Sequence, residues 1–342
     1  PLTKSILIEQ TLYDGKGRSA DLEKSEIGID LAKAKILKVE QEILYKAVEA
    51  YTGLILANKK LRINRSNVNL LDRQVETDQA RQERGQITLT DLAQSESSLA
   101  GAKAKFIEAK NDVITSRLIY ENVIGPIVNS DDLNENSKLS VNIPKSLGEA
   151  NDISKKENPN LIITKLEYLQ SEKDIRIAEA DMLPSATLSF EASHSEDLSA
   201  TYDERNKKIL KATVKWPFYT GGKNKAEVNK SRNIKYQKKL LLDNVINTNN
   251  TNVASAWSNF QSSKSLLDSV KFQVKAAEIA NEGITVEYES GLGRSTLDVI
   301  QSNSLLLDSK ISLANAERNY LLSQFKLLQS IGLLTLEHLQ IN

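Results

Sequence analysis

Leu12-Tyr13-Asp14-Gly15 and Phe218-Tyr219-Thr220-Gly221 decide the reading of this chain, because everything after each of them runs in parallel. The offset is about 206 residues (Tyr13 to Tyr219). At that offset Tyr51 answers to Trp257 and Gly85 to Gly291. One inserted residue later Asp91 answers to Asp298, Gln94 to Gln301, and Ile124-Gly125 to Ile331-Gly332. Each copy reads as a short strand, a very long helix, a glycine turn and a second long helix. Self-similarity at a fixed period takes precedence over local secondary-structure signals. A duplicated strand and hairpin of this size is architectural rather than catalytic.

The second arm of each copy carries the clearest pattern. Leu92, Leu99, Phe106, Val113 and Tyr120 recur every seven residues, each followed three positions later by Ser95, Ala102, Ala109, Ser116 or Val123. The second copy repeats this with Val299, Leu306, Leu313, Tyr320 and Leu327 against Ser302, Ser309, Ala316, Ser323 and Ser330. Spacings of three and four put both series on one helix face, as in a coiled-coil seam. Small partners let neighbouring backbones approach, and the serines argue against a lipid-facing helix. In the first arm Ile43, Ala47, Ala50, Leu54, Ala57 and Leu61, then Val68, Leu71 and Val75, continue an apolar face. Sixty helical residues would span roughly 90–100 Å, so such a rod must be laced along its course.

Three stretches read as strands: residues 4–13, 187–194 and 211–219. In the last, Ala212, Val214, Trp216 and Phe218 alternate with Lys211, Thr213, Lys215 and Tyr219, so one face suits lipid or a core and the other suits water. Residues 195–208 read as a long exposed loop. Residues 126–158 read as a loop-rich linker, and residues 159–182 as a helix leading through Pro184 to the second strand. The expected organisation is a first repeat over 1–125, a linker over 126–158 and a second repeat over 159–342. The first copy lacks a counterpart of the 159–182 helix and its strand. The start at Pro1 therefore reads as a fragment or processed form, with roughly 60–80 residues expected before it.

Composition excludes several classes. The 45 basic and 45 acidic residues cancel, leaving no bulk signature for nucleic acid. There is no cysteine for disulfides or thiolate chemistry. No apolar run reaches the length of a membrane helix, although barrel strands need only about 9–11 alternating residues. His194 and His338 lack clustered partners, and no cofactor or metal site is expected. Gly15-Lys16-Gly17-Arg18-Ser19 and Gly221-Gly222-Lys223 lack phosphate-loop spacing and read as strand-to-helix turns. Nothing supplies a nucleophile, base or metal centre, so an enzyme is not expected. At the tips, Thr90 and Ser295 or Thr296 are candidate caps, with Asp91 and Asp298 at the positive helix ends.

These features together resemble the TolC-like outer membrane efflux protein family over essentially the whole chain. The resemblance rests on three sets of residues: Leu12-Tyr13-Asp14-Gly15 with Pro217-Phe218-Tyr219-Thr220-Gly221-Gly222, the tips Gly85 to Asp91 and Gly291 to Asp298, and the closing Tyr320, Leu328 and Ile331-Gly332. It implies a mainly helical homotrimer whose α-barrel tunnel joins a shared twelve-stranded β-barrel in the outer membrane of a Gram-negative bacterium. The three strand segments would be three of the four contributed by each chain, and residues 126–159 part of a mid-tunnel girdle. Tyr13, Gly15, Pro217, Tyr219 and Gly221 would form the strand–helix junctions.

The implied work is passive conduction for efflux or type I secretion. A periplasmic adaptor and an inner-membrane transporter of the ABC, RND or MFS type would be the partners, besides outer-membrane lipid. Gly85, Asp91, Gln94 and Gly291 would belong to the adaptor-docking tip. Arg294 and Asp298 match the family's entrance arginine and first aspartate, while Gln301 stands where a second aspartate is expected. The competing reading is a non-conducting coiled-coil scaffold or adaptor of the cell envelope.

Overall fold

The structure, a computed structural model, describes residues 2–127, 133, 143–199 and 202–339. The elements run β1 (Leu2–Tyr13), α1 (Gly17–Glu83), α2 (Leu89–Val123), α3 (Leu147–Glu157), α4 (Pro159–Ala180), β2 (Ser185–Ser199), β3 (Tyr202–Lys215), α5 (Lys223–Glu289) and α6 (Thr296–Ile331). Both first arms, α1 and α5, are unbroken helices of 67 residues. The chain divides into two compact units, and each draws on both repeats.

One unit comprises Pro1–Lys38 and Pro159–Asn249. Its sheet is antiparallel in the order β1-β2-β3. The expected loop at 195–208 is instead mostly strand, because β2 continues to Ser199 and β3 begins at Tyr202, with Ser195 opposite Arg205 and His194 opposite Asn206. The stretch looked like a loop because its side chains are polar on both faces, while its backbone groups still pair across the ladder. At the other end β3 stops at Lys215 rather than reaching Tyr219. Pro217 has no N–H to donate, and the Phe218 N–H turns back to the Trp216 carbonyl at 3.0 Å.

The register puts Ile6, Ile8, Leu188, Phe190, Leu210 and Val214 on one face. That face has no partner among the described residues, and Ile6 and Val214 are 67% and 73% exposed. Tyr13, Trp216, Phe218 and Tyr219 are exposed at its helix-proximal end.

Both strand–helix junctions use two successive residues with positive φ, Gly15-Lys16 and Gly221-Gly222. In both, the preceding side chain caps the helix start. Asp14 accepts from the Arg18 N–H at 3.1 Å, and Thr220 from the Asn224 N–H at 3.4 Å. A Cβ at Gly15 would also lie 2.9 Å from the Ala180 carbonyl oxygen and the Leu183 Cβ, so the turn requires glycine for space as well as dihedral.

Helix α4 ends at Ala180, close to the expected 182. Ion pairs flank it on both sides. Glu167, Glu172 and Glu179 meet Lys238, Lys235 and Arg232 of α5, while Lys173 and Asp174 meet Glu23 and Lys24 of α1. The partners are half-buried but keep solvent contact, and solvated pairs contribute about 0–1 kcal/mol each, so this ladder sets the register of α4 more than it stabilises the unit.

The second unit comprises Val39–Asn158 and Asn250–Asn342. The seam expected from the heptads is present. Leu92, Leu99, Ser95, Ala102 and Ala109 are buried on α2, and Val299, Ser302, Ser309, Ala316, Ser323 and Leu327 on α6. Ile43 departs from the expected face and is exposed, the buried position being taken by Gln41. The apolar interior is a string of small clusters: Leu71 with Leu99 and Ala102, Leu267 with Val270 and Ala316, and a larger group around Val253, Phe325, Leu327, Leu328, Ile331 and Leu334.

Residues 126–158 are not loop throughout. Ser146 caps α3 by accepting from the Glu149 N–H at 3.2 Å, and Ala150 is fully buried in the largest cluster. The rest of the expected girdle lies largely outside the described residues.

The C-terminus of α6 is locked by three elements. Its last carbonyls close on themselves, the Leu333 N–H reaching the Leu328 oxygen at 2.9 Å and the Gly332 N–H the Gln329 oxygen at 3.2 Å, around Gly332 at φ 87°. Gln41 of α1 donates to the Gly332 carbonyl at 2.7 Å, and Asn158 to that of Ser330 at 2.8 Å. A Cβ at Gly332 would collide with the Glu157 carbonyl. Gly332→Ala should therefore lower stability by about 2 kcal/mol or more, read as an earlier midpoint in chemical unfolding. An unchanged midpoint would show that the contact yields freely.

Candidate functional site at the hairpin tips

Both first arms end in the same glycine motif. Gly85 (φ 70°) and Gly291 (φ 73°) close Schellman turns, with Gln86 N–H to Arg81 O at 2.9 Å and Leu292 N–H to Glu287 O at 3.0 Å. The returning helices then open on matching capping boxes. Thr88 accepts from the Asp91 N–H at 3.2 Å while its own N–H donates to the Asp91 carboxylate at 2.9 Å. Ser295 and Asp298 repeat this at 3.2 and 2.9 Å.

The caps are thus Thr88 and Ser295. Thr90 lies inside α2 and Thr296 is the first residue of α6, because the aspartate must stand three residues beyond its cap. The T-x-x-D and S-x-x-D spacing was the available signal.

Arg294 sits in the tip loop beside Asp298 in sequence but bonds elsewhere. Its Nε donates to Glu287 at 2.6 Å, and that carboxylate holds the guanidinium above its usual range. Gln94 and Gln301 are exposed on α2 and α6, and neither bonds to Arg294 or Asp298 among the described residues.

A polar centre just inside the tips joins all four arms. Asp78 of α1 is fully buried. It accepts from Ser95 of α2 at 2.5 Å, from Tyr288 of α5 at 2.7 Å, and from Gln74 at 3.0 and 3.1 Å. The Tyr288 hydroxyl also lies 3.1 Å from Thr296 of α6. The Arg81 guanidinium covers the Tyr288 ring at 4.4 Å, and burial pushes the Tyr288 hydroxyl pKa up. A smaller clasp serves the second hairpin, Asn281 donating to Ser302 at 3.1 Å and Asn303 at 2.6 Å. Ser95 and Ser302 occupy matching places in the repeat. Asp78 escapes sequence reasoning because Gln74 and Asp78, four apart in a charged tract, look like a solvated helix face.

The family model for outer membrane efflux proteins matches residues 3–125 and 152–333. The chain belongs to that family. It is 27% identical to the outer membrane efflux protein BepC of Brucella suis over 98% of this chain and 73% of BepC. It is 23% identical to TolC of Vibrio cholerae over 98% of this chain and 77% of TolC. The Pseudomonas aeruginosa alkaline protease secretion protein AprF is 22% identical over 96% of this chain and 69% of AprF.

The fold also matches the Vibrio cholerae outer membrane protein VceC, with a TM-score of 0.80 and 15% identity, covering 96% of this chain and 79% of VceC. It matches the open Neisseria gonorrhoeae MtrE channel with a TM-score of 0.80 and 16% identity, covering 97% of this chain and 81% of MtrE. This efflux protein is therefore an outer-membrane, periplasm-facing channel component for efflux or type I secretion. It is neither a scaffold nor an enzyme.

Tyr288→Phe leaves Asp78 short of a buried donor and should cost about 1–3 kcal/mol. A double-mutant cycle with Asp78→Asn should give a coupling above about 0.5 kcal/mol, and additivity would dissolve the clasp.

The tip carboxylates make both helix starts sensitive to acid. Hydrogen bonds from the backbone and hydroxyl of Thr88 hold the Asp91 carboxyl below its ordinary value, and Ser295 does the same for Asp298. A lowered folded pKa contributes stability above the unfolded value of about 4 and loses it as pH falls through the folded one. Hydrogen exchange at the start of α2 and α6, corrected for intrinsic rate, should be flat from about pH 8 to about pH 5 and rise below about pH 4. Asp91→Asn and Asp298→Asn should abolish that rise at their own tips; a rise unchanged in both would refute the assignment.

Proposed function

We propose that three copies of this chain assemble into one conduit, each giving its strands to a shared twelve-stranded barrel and its hairpins to a periplasmic tunnel. The observation that carries this reading is the unpartnered apolar face of the sheet, which ends in an aromatic fringe of Tyr13, Trp216, Phe218 and Tyr219. A face of that kind suits hydrocarbon with aromatic rings at the headgroup level. Two strand–hairpin modules of matching order per chain support near-symmetric closure around an axis.

An inner-membrane transporter of the ABC, RND or MFS type would supply the energy, through a periplasmic adaptor. The docking surface would be the tips around Gly85, Asp91, Gln94 and Gly291. One relative is named for efflux and another for alkaline protease secretion, so small molecules and exported proteins are both cargoes within the reading.

Arg294 and Asp298 would guard the entrance, with Gln301 leaving one acidic ring where two are expected. Within one chain Arg294 is held by Glu287, and the coulombic pull of Asp298 on it is weaker. In the closed trimer the arginine would exchange or share that partner with acidic groups of a neighbouring tip. Single-channel recording in planar bilayers, with mass determination of the detergent-extracted protein, should give discrete channels from a trimer. Arg294→Ala and Asp298→Asn should each raise leak conductance. Unchanged leak in both would discard the gate, and a trimer that never conducts would discard the conduit.

A further inference from the structure

From the row of Arg205 to that of Lys215, the second face of the sheet carries charge of one predominant sign. Thr3 donates to Ser195 at 3.1 Å, which fixes these two on a common face, and Ser195 stands opposite Arg205. Stepping by two along β3 adds Lys207, Lys211 and Lys215 to that face, opposite Ser193, Ser189 and Ser185. All four cations are exposed, and none is in an ion pair among the described residues. Residues two apart on a strand are about 6.6 Å apart, so the cations form a column along the sheet.

Between the Thr3–Ser195–Arg205 row and Lys215, the carboxylates on the face are Glu9 and Glu191; Asp203 precedes Arg205 by two residues in sequence. Glu9 lies in the row of Lys211, since both flank Ser189, and Glu191 lies in the row between Lys207 and Lys211. The rows of Lys215 and Arg205 hold no acid, nor does the row next to Lys215, where Thr187 faces Thr11 and Thr213. Within these rows compensation is therefore central, and the Lys215 end of the column keeps its charge.

We propose that Arg205, Lys207, Lys211 and Lys215 line the interior of the outer-membrane pore as a cationic filter that favours anionic solutes. The inference rests on the conduit reading: once the apolar face meets lipid, alternation forces the opposite face to meet the lumen. Closure around an axis turns each cation into a ring, and rings of lysine or arginine select for anions. A low-dielectric wall focuses their field into the water column. The reach of that field is set by salt, with a screening length of about 10 Å at 0.1 M and about 30 Å at 0.01 M. A wide barrel is thus filtered strongly only in dilute electrolyte. Solutes bearing carboxylate or phosphate groups are the class this face would assist.

The test is the reversal potential of the full-length channel in planar bilayers under a potassium chloride gradient at low ionic strength. Because the entrance aspartates act on the same current, the readout is the difference between variants. The Lys207→Gln, Lys211→Gln, Lys215→Gln triple variant should lower the chloride-over-potassium permeability ratio severalfold, and the corresponding Glu variant should lower it further. Lys208→Gln, on the opposite face, should leave the ratio as it is. Lys215→Gln alone should shift it in the same direction, which keeps the test open if the triple variant fails to assemble.

Conducting variants with the wild-type reversal potential would overturn the filter, as would a shift from Lys208→Gln as large as that from Lys215→Gln. Absence of any channel from the wild type would defeat the conduit reading and the filter with it.

Discussion

Two helices of 67 residues cannot share one hydrophobic core, and that constraint shapes everything else in this protein. A helix so long has to find a partner every turn or two or lose its register. The answer here is a narrow seam in which a large residue is followed three positions later by a small one. The apolar clusters are correspondingly small, the one at Leu71, Leu99 and Ala102 amounting to three buried residues. Stability is spread along the rods instead of concentrated, so local contacts decide where each segment is held.

Held and adjustable positions alternate accordingly. At the closing end of α6 the hydrogen bonds are short and buried, with Gln41, Asn158 and Gly332 fixing the last turn. Along α4 half-buried ion pairs flank a few buried small residues, and the pairs set alignment with little net gain. Inside the tips the seam turns polar. Asp78 gathers donors from α1, α2 and α5, and Tyr288 carries the contact on to α6. A buried polar centre specifies one arrangement of four helix ends more sharply than apolar packing would, because any slip strands a desolvated carboxylate.

Much of this was legible in the residues. The duplicated Tyr13 and Tyr219 turns, the glycines at 85 and 291 and the two seams all express local rules: backbone dihedrals that glycine tolerates, and periodicities that place side chains on one face. Less was legible where pairing is non-local. The outer half of the β2–β3 hairpin resembled a loop because Glu196, Glu204 and Arg205 carry no apolar alternation, although their backbones pair. Helix α3 hid in a polar segment because Ala150 and Ser154 are its only buried residues. Arg294 and Asp298 were recognised as tip residues, but their partners Glu287 and Ser295 appear only once the loop is folded.

The sequence by itself determined the architecture of the repeat, the helix lengths, the tip turns and the presence of amphipathic strands, since these follow from short-range sterics and periodicity. It also carried enough ordered motif to place the chain in its family. Only the tertiary structure decided which of many acidic residues is buried, which serine meets it, and which lysines of β3 share a face with Glu9 and Glu191. Those outcomes depend on register between segments about 200 residues apart, such as the 210 separating Tyr288 from Asp78. No local propensity encodes a register of that range; it is set by the whole seam closing at once.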